Sequence, residues 1–171
     1  KDYHIFEIGS LKILVIGVTG AFNVFYNLFN FHINDPIQEI KRVLSNIYET
    51  KFDILLILSH IGLNQDKLIA NEIPNIDIII GGHSHSALNE GIVENGTLIC
   101  QAGQYGEFVG ELTIEYDEER KEIIDYKTNL IPANQYPENQ KINKILAESY
   151  KNAYDYMAIK LFSLEKEIKH S

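Results

Sequence analysis

The sequence predicts an α/β fold, and three observations carry that prediction. Short continuous apolar runs end abruptly in turn residues, a capped amphipathic segment separates two of them, and the last third switches to strands joined by short polar turns. The order strand, helix, strand, helix, strand implies parallel crossovers between buried strands. At 171 residues, 45% of them hydrophobic, the chain is long enough to bury one sizeable core.

Taken in order, YHIFEI (3–8) alternates apolar and polar residues, Gly9 and Ser10 supply a turn, and LKILVIGV (11–18) is a longer apolar run. Together they read as a hairpin whose second strand is buried. GAFNVFYNLFNFHIN (20–34) has no clean period and is expected to be an ordered loop or strap whose aromatics Phe22, Phe25, Tyr26, Phe29 and Phe31 fill core. In DPIQEIKRVLSNIYE, Asp35 is placed to cap a helix and Pro36 to open it, with Ile37, Ile40, Val43, Leu44 and Ile47 at helical spacing. FDILLILSH (52–60) then reads as a strand buried on both faces. NQDKLIANEI (64–73) is a short helix stopped by Pro74, and IDIIIGG (76–82) is the next buried strand. TLICQAG (97–103), FVGELTIEYD (108–117) and KEIIDYKTNLI (121–131) predict an antiparallel meander. Pro132 and Pro137 bracket a loop, residues 138–157 return to helical spacing, and LEKEIKHS closes as a polar tail or the start of a linker.

A formal net charge of −9 disfavours an electrostatic hold on a nucleic-acid polymer or on anionic lipid, both of which need dense positive charge. Arg42 and Arg120 are the only arginines, so two-pronged recognition of phosphate by guanidinium has little to draw on. The single cysteine, Cys100, rules out an internal disulfide and thiolate zinc pairs. No apolar run approaches the ~20 residues needed to span a bilayer. Lys1 goes straight into strand-like alternation without Met and is read as not being the natural start.

The histidines carry the chemistry. His60 ends one buried strand, and the next runs into GGHSH, with His83 and His85 one residue apart. In open α/β sheets ligands bind beyond the carboxyl ends of the strands. Adjacent parallel strands ~4.8 Å apart would bring His60 and His83 within about 5–10 Å of each other, with His85 turned toward a second ion. Imidazole suits Zn, Mn, Fe and Ni, and paired hydrolytic ions sit ~3.5–4 Å apart. Three histidines are too few for two ions, and Asp35, Asp53, Asp66 and Asp77 fall at helix starts or at the opposite strand ends. A lone histidine after a strand is more often a hydrogen-bonded cap, but HxH after two glycines, aligned with His60, favours a metal turn. His4, His32 and His170 lie in an edge hairpin, the aromatic loop and the tail, where a structural role is favoured. QAGQYGEFVG (101–110) reads as a flat structural turn, because no helix start stands behind its glycines.

LSHIGLNQDKLIANEIPNIDIIIGGHSHSAL, followed by LICQAGQYGEFVGELTIEYD, resembles the second half of the catalytic domain in the 5'-nucleotidase and 2',3'-cyclic phosphodiesterase branch of the calcineurin-like metallophosphoesterases. The resemblance implies part of a four-layer αββα sandwich. It implies His60 and His83 as ligands of one divalent ion and His85 as ligand of a second, with metal-activated hydroxide attacking phosphorus in a nucleotide or related phosphate ester. It also implies an exported or wall-attached setting, whether periplasmic or secreted. The motifs DxH, GDxxD and GNHE, which carry the remaining ligands in that family, do not occur in this sequence, nor does a C-terminal substrate-binding domain. Residues 1–135 are therefore expected to be the second half of a catalytic domain, and 136–171 a helix and linker toward an absent domain. No catalytic residue is assigned within the chain, and the chain alone is expected to be inactive. Two alternatives stay open: a dead remnant serving as a structural or interaction module, and a sulfur-ester hydrolase of the same fold.

Overall fold

Residues 2–161 are described by the structure, a computed structural model. They divide into two compact units with the boundary between Gln135 and Tyr136. The closing LEKEIKHS segment and His170 lie outside the described residues.

The first unit is built on a six-stranded sheet. Its strands are β1 (His4–Ile8), β2 (Leu11–Thr19), β3 (Ile54–His60), β4 (Ile78–Ile80), β5 (Ile92–Glu94) and β6 (Thr97–Cys100), in the order β1-β2-β3-β4-β6-β5. The four central strands run parallel, while β1 and β5 close the two edges antiparallel. A second, two-stranded antiparallel sheet pairs β7 (Phe108–Asp117) with β8 (Glu122–Pro132). The expected three-strand meander is corrected in one member. TLIC joins the large sheet as the parallel neighbour of β4, an environment its uninterrupted apolar run tolerates but does not by itself select.

Register assigns the two faces. Leu14 and Ile16 of β2, Leu55 and Ile57 of β3, Ile79 and Ile99 form one buried cluster with the two main crossover helices. These are α2 (Pro36–Asn46) and α3 (Leu63–Glu72); a single turn, α1 (Asn23–Tyr26), precedes them. The Asp35 carboxylate accepts a hydrogen bond from Gln38 N–H at 2.9 Å, and Pro36 opens the helix. Ile40, Val43 and Ile47 then turn inward against β2, the face that helical spacing predicts.

The opposite face carries Val15, Gly17 and Thr19, then Leu56, Leu58 and His60, then Ile78 and Ile80, then Leu98 and Cys100. The β7–β8 pair lies along part of it: Gly110, Leu112 and Leu130 line a cavity with Ile80 and Cys100. Over β2 and β3 this face is open, and Leu58 is 54% exposed.

The aromatic segment does not fill core. Phe22, Phe25, Phe29 and Phe31 are all exposed, Phe25 by 68%. Asn23 fixes the loop instead, through two side-chain hydrogen bonds to the backbone of Ile33. Hydrophobicity without a period gives no face to bury, and the loop is shaped by polar contacts.

In the second unit, α4 spans Gln140–Met157, and the Asn139 side chain accepts from Lys141 and Ile142 N–H at its start. Among the described residues no helix is long and apolar enough to cross a membrane.

Candidate metal centre

β3 delivers His60 to the carboxyl edge of the sheet, and β4 delivers the turn Gly81-Gly82-His83-Ser84-His85-Ser86 beside it. The His60 and His83 rings lie 5.4 Å apart, centroid to centroid, and nearly edge to face at 68°. Both residues are exposed. Among the described residues, no protein group is hydrogen-bonded to the ring nitrogens of His60, His83 or His85. His85 packs its ring 5.8 Å from that of Tyr105, while Phe22 lies 5.1 Å from His83.

The turn is built from unusual backbone. His83 and His85 both have positive φ, 70° and 57°, a region that costs an L-residue roughly 1–2 kcal/mol. Ser84 N–H closes a three-residue turn on Gly82 C=O at 2.9 Å. The glycines are required by close approach. A β-carbon on Gly82 would sit 2.8 Å from His60 Nδ1, and one on Gly81 would strike Asp66 Oδ2. The two glycines thus let the turn come down directly onto β3 and α3.

Gln101, just beyond β6, holds the turn from beneath and was not singled out by its sequence. Its side chain is buried at 3% exposure. Nε2 donates to Gly82 C=O at 3.0 Å, and Oε1 accepts from Ser84 Oγ at 2.8 Å and from Ser86 N–H. Ser84 Oγ also accepts from Leu63 N–H at 3.1 Å, in the first turn of α3. The available signal was a polar residue closing an apolar run, which must find partners if the run is buried. The rest of QAGQYGEFVG turns between β6 and β7, with positive φ at Gly103, Tyr105 and Gly106.

Of the four carboxylates weighed from sequence, three are occupied with backbone. Asp35 caps α2, Asp53 accepts from Lys12 N–H at 2.8 Å, and Asp77 accepts from Leu55 N–H at 2.7 Å. Burial raises the Asp77 pKa, with that backbone hydrogen bond working the other way. Asp66 is fully buried under the turn; Oδ1 accepts from Ser59 Oγ and Oδ2 has no partner among the described residues. Burial raises its pKa, opposed by the Ser59 hydrogen bond. The Cys100 thiol is likewise pushed up by burial.

The donor chemistry fits an imidazole-binding divalent ion at His60 and His83, but the donor count falls short of a complete centre. Among the described residues no group of three or more His, Cys, Asp or Glu side chains is placed to hold a metal ion. The structure brings His60 and His83 together and leaves His85 outside the pair.

No family model matches the chain. It is 32% identical over 122 residues to the uncharacterized metallophosphoesterase YunD of Bacillus subtilis, covering 71% of this chain and 26% of that protein. It is 28% identical over 168 residues to a 5'-nucleotidase of Vibrio cholerae, covering 78% of this chain and 30% of that protein. Its fold matches that of the sulfate thiohydrolase SoxB of Thermus thermophilus with a TM-score of 0.78 at 18% identity, over 95% of this chain and 30% of that one. The chain therefore spans about a quarter to a third of the length of these proteins. In sequence the chain is similar to proteins named metallophosphoesterase and 5'-nucleotidase, it shares its fold with a solved 5'-nucleotidase, and it corresponds to a segment of their length.

Proposed function

We propose that this chain is part of a two-metal phosphoesterase that hydrolyses nucleotides or related phosphate esters. In that reading His60 and His83 hold one divalent ion and His85 contributes to a second. The observation that carries it is the pair of exposed imidazoles 5.4 Å apart at the carboxyl edge of a parallel sheet, with ring nitrogens that engage no protein partner among the described residues. When bound, such ions supply Lewis-acid activation of a water nucleophile and neutralise charge on the phosphoryl oxygens. The chain's own part is to hold imidazole nitrogens at the sheet edge in a fixed orientation. The strained turn does this for His83 and His85, and the strand end does it for His60.

Residues 1–135 supply the second half of the catalytic domain in this proposal, and 136–171 lead toward a further domain. The remaining ligands come from chain outside this sequence, so these 171 residues alone have no turnover. Transport to an extracytoplasmic compartment accords with the resemblance. In the complete protein, His83→Ala lowers phosphate-ester hydrolysis by about 100-fold or more while the thermal unfolding midpoint stays near that of the parent. Unchanged turnover would remove His83 from the ligand set. Metal analysis of the isolated chain provides a second check, since tight binding of two ions per chain would contradict a divided ligand set.

A further inference from the structure

Gln101 contacts the residue on each side of both histidines. Its side chain reaches Gly82, Ser84 and Ser86, the positions that flank His83 and His85 one by one. Its backbone pairs with the same segment: Leu88 N–H donates to Gln101 C=O at 3.0 Å, and an antiparallel bridge joins Ala87 to Ala102. Through Ser84 Oγ the network continues to Leu63 N–H at the start of α3, directly after the loop that follows His60. One buried amide thus ties together the ends of β3, β4 and β6.

From this geometry we infer that Gln101 is a positioning residue, which clamps the His83–His85 turn in its left-handed conformation so that both imidazoles are preorganised for metal. The inference rests on the metal reading given above. Two non-glycine positive-φ positions with one residue between them persist only where surrounding contacts over-determine them, and those contacts converge on this side chain. Asn at 101 would be one methylene too short to reach all three partners. Glu would lose the donor to Gly82 C=O and face that oxygen with a charge. Gln alone among polar residues of this length offers an acceptor to Ser84 and Ser86 and a donor to Gly82 at once.

The test uses the complete protein, reconstituted with Co²⁺, whose visible absorption reports ligand number and geometry. Gln101→Ala weakens Co²⁺ binding by about 10–100-fold, as loss of groups that orient metal ligands does, and alters the visible band. Hydrogen exchange at the Ser86 amide accelerates even without metal. Ser84→Ala, at an exposed position that leaves the buried amide in place, gives a smaller loss in the same direction and keeps the test open if the Gln101 variant fails to fold. The double variant binds no more weakly than Gln101→Ala alone, because both changes act through one clamp. If parental Co²⁺ binding is lost in His83→Ala but intact in Gln101→Ala and Ser84→Ala, the clamp is overturned and the metal reading stands. If the parental protein binds no Co²⁺, both fall together.

Discussion

Asp66 is the most exposed to test among single residues, because it is a fully buried carboxylate with one oxygen unpartnered among the described residues. Burial raises its folded-state pKa above the ordinary value, so the folded chain binds the proton more readily than the unfolded chain does. Stability from this group is therefore present below the ordinary carboxylate pKa and is lost as pH rises through the folded value. Asp66→Asn keeps the acceptor for Ser59 Oγ and removes the charge. It is expected to be more stable than the parent by about 1 kcal/mol at pH 7, with the gap closing toward pH 4. Thermal unfolding of both proteins at the two pH values measures this, and the raised pKa of Asp77 cancels in the difference because both proteins carry it. A gap that does not change with pH would mean that the Asp66 carboxylate is not penalised by its burial. Residue positions were legible from sequence where they depend on place along a strand: His60 ends β3 and His83 falls in the turn just beyond β4, and strand ends can be read from where an apolar run stops. Gln101 was not legible, because its partners lie 15 to 19 residues away and their convergence exists only once β6 sits beside β4.

Elements follow the same division between local and distant causes. α2 was readable because its cap, its first-turn proline and its inward face are all contained in fifteen consecutive residues. The Asp35 cap is accordingly the contact whose removal should act on that helix alone. Asp35→Ala is expected to cost about 1 kcal/mol, while Asp35→Asn stays within a few tenths of the parent. Denaturant unfolding of the three proteins reports the order, and equal stability of the Ala and Asn variants would show that the hydrogen bond to Gln38 N–H contributes nothing. Strand pairing, by contrast, is settled by neighbours far along the chain. TLIC is apolar enough for either a meander or a parallel sheet, and nothing within those four residues distinguishes the two. β5 was missed for a related reason, since Ile92–Glu94 is only three residues long and earns its strand only by pairing with β6. The aromatic loop shows the limit of composition, for its phenylalanines are exposed and its order comes from Asn23.

At the scale of the whole molecule, the six-stranded sheet is finished on one face and unfinished on the other. Helices α2 and α3 cover the first face, whereas β7 and β8 lie beside Ile80 and Cys100 on the second and touch the β1–β2 turn through Glu118 and Ser10, leaving Leu58 open. What stays open is the region of Gly17, Val18, Leu58, His60 and Gly82, which line a hollow of about 560 Å³. Central parallel strands are ordinarily buried on both faces, and of the proposed metal ligands His60 lines this open region, with the His83 ring 5.4 Å from it. These two facts have one explanation if the face is covered, in a protein of the relatives' length, by the layer that also brings the missing ligands. Leu58→Gln separates the cases. In the 171-residue chain, where Leu58 is 54% exposed, the substitution should change stability by no more than about 0.5 kcal/mol. In the complete protein it would place an amide in an apolar layer and should cost about 2–4 kcal/mol, read as a lowered unfolding midpoint. A similarly small effect in both would mean that nothing packs on this face, and that any further ligands of the proposed centre reach His60 and His83 from the loop side of the sheet edge.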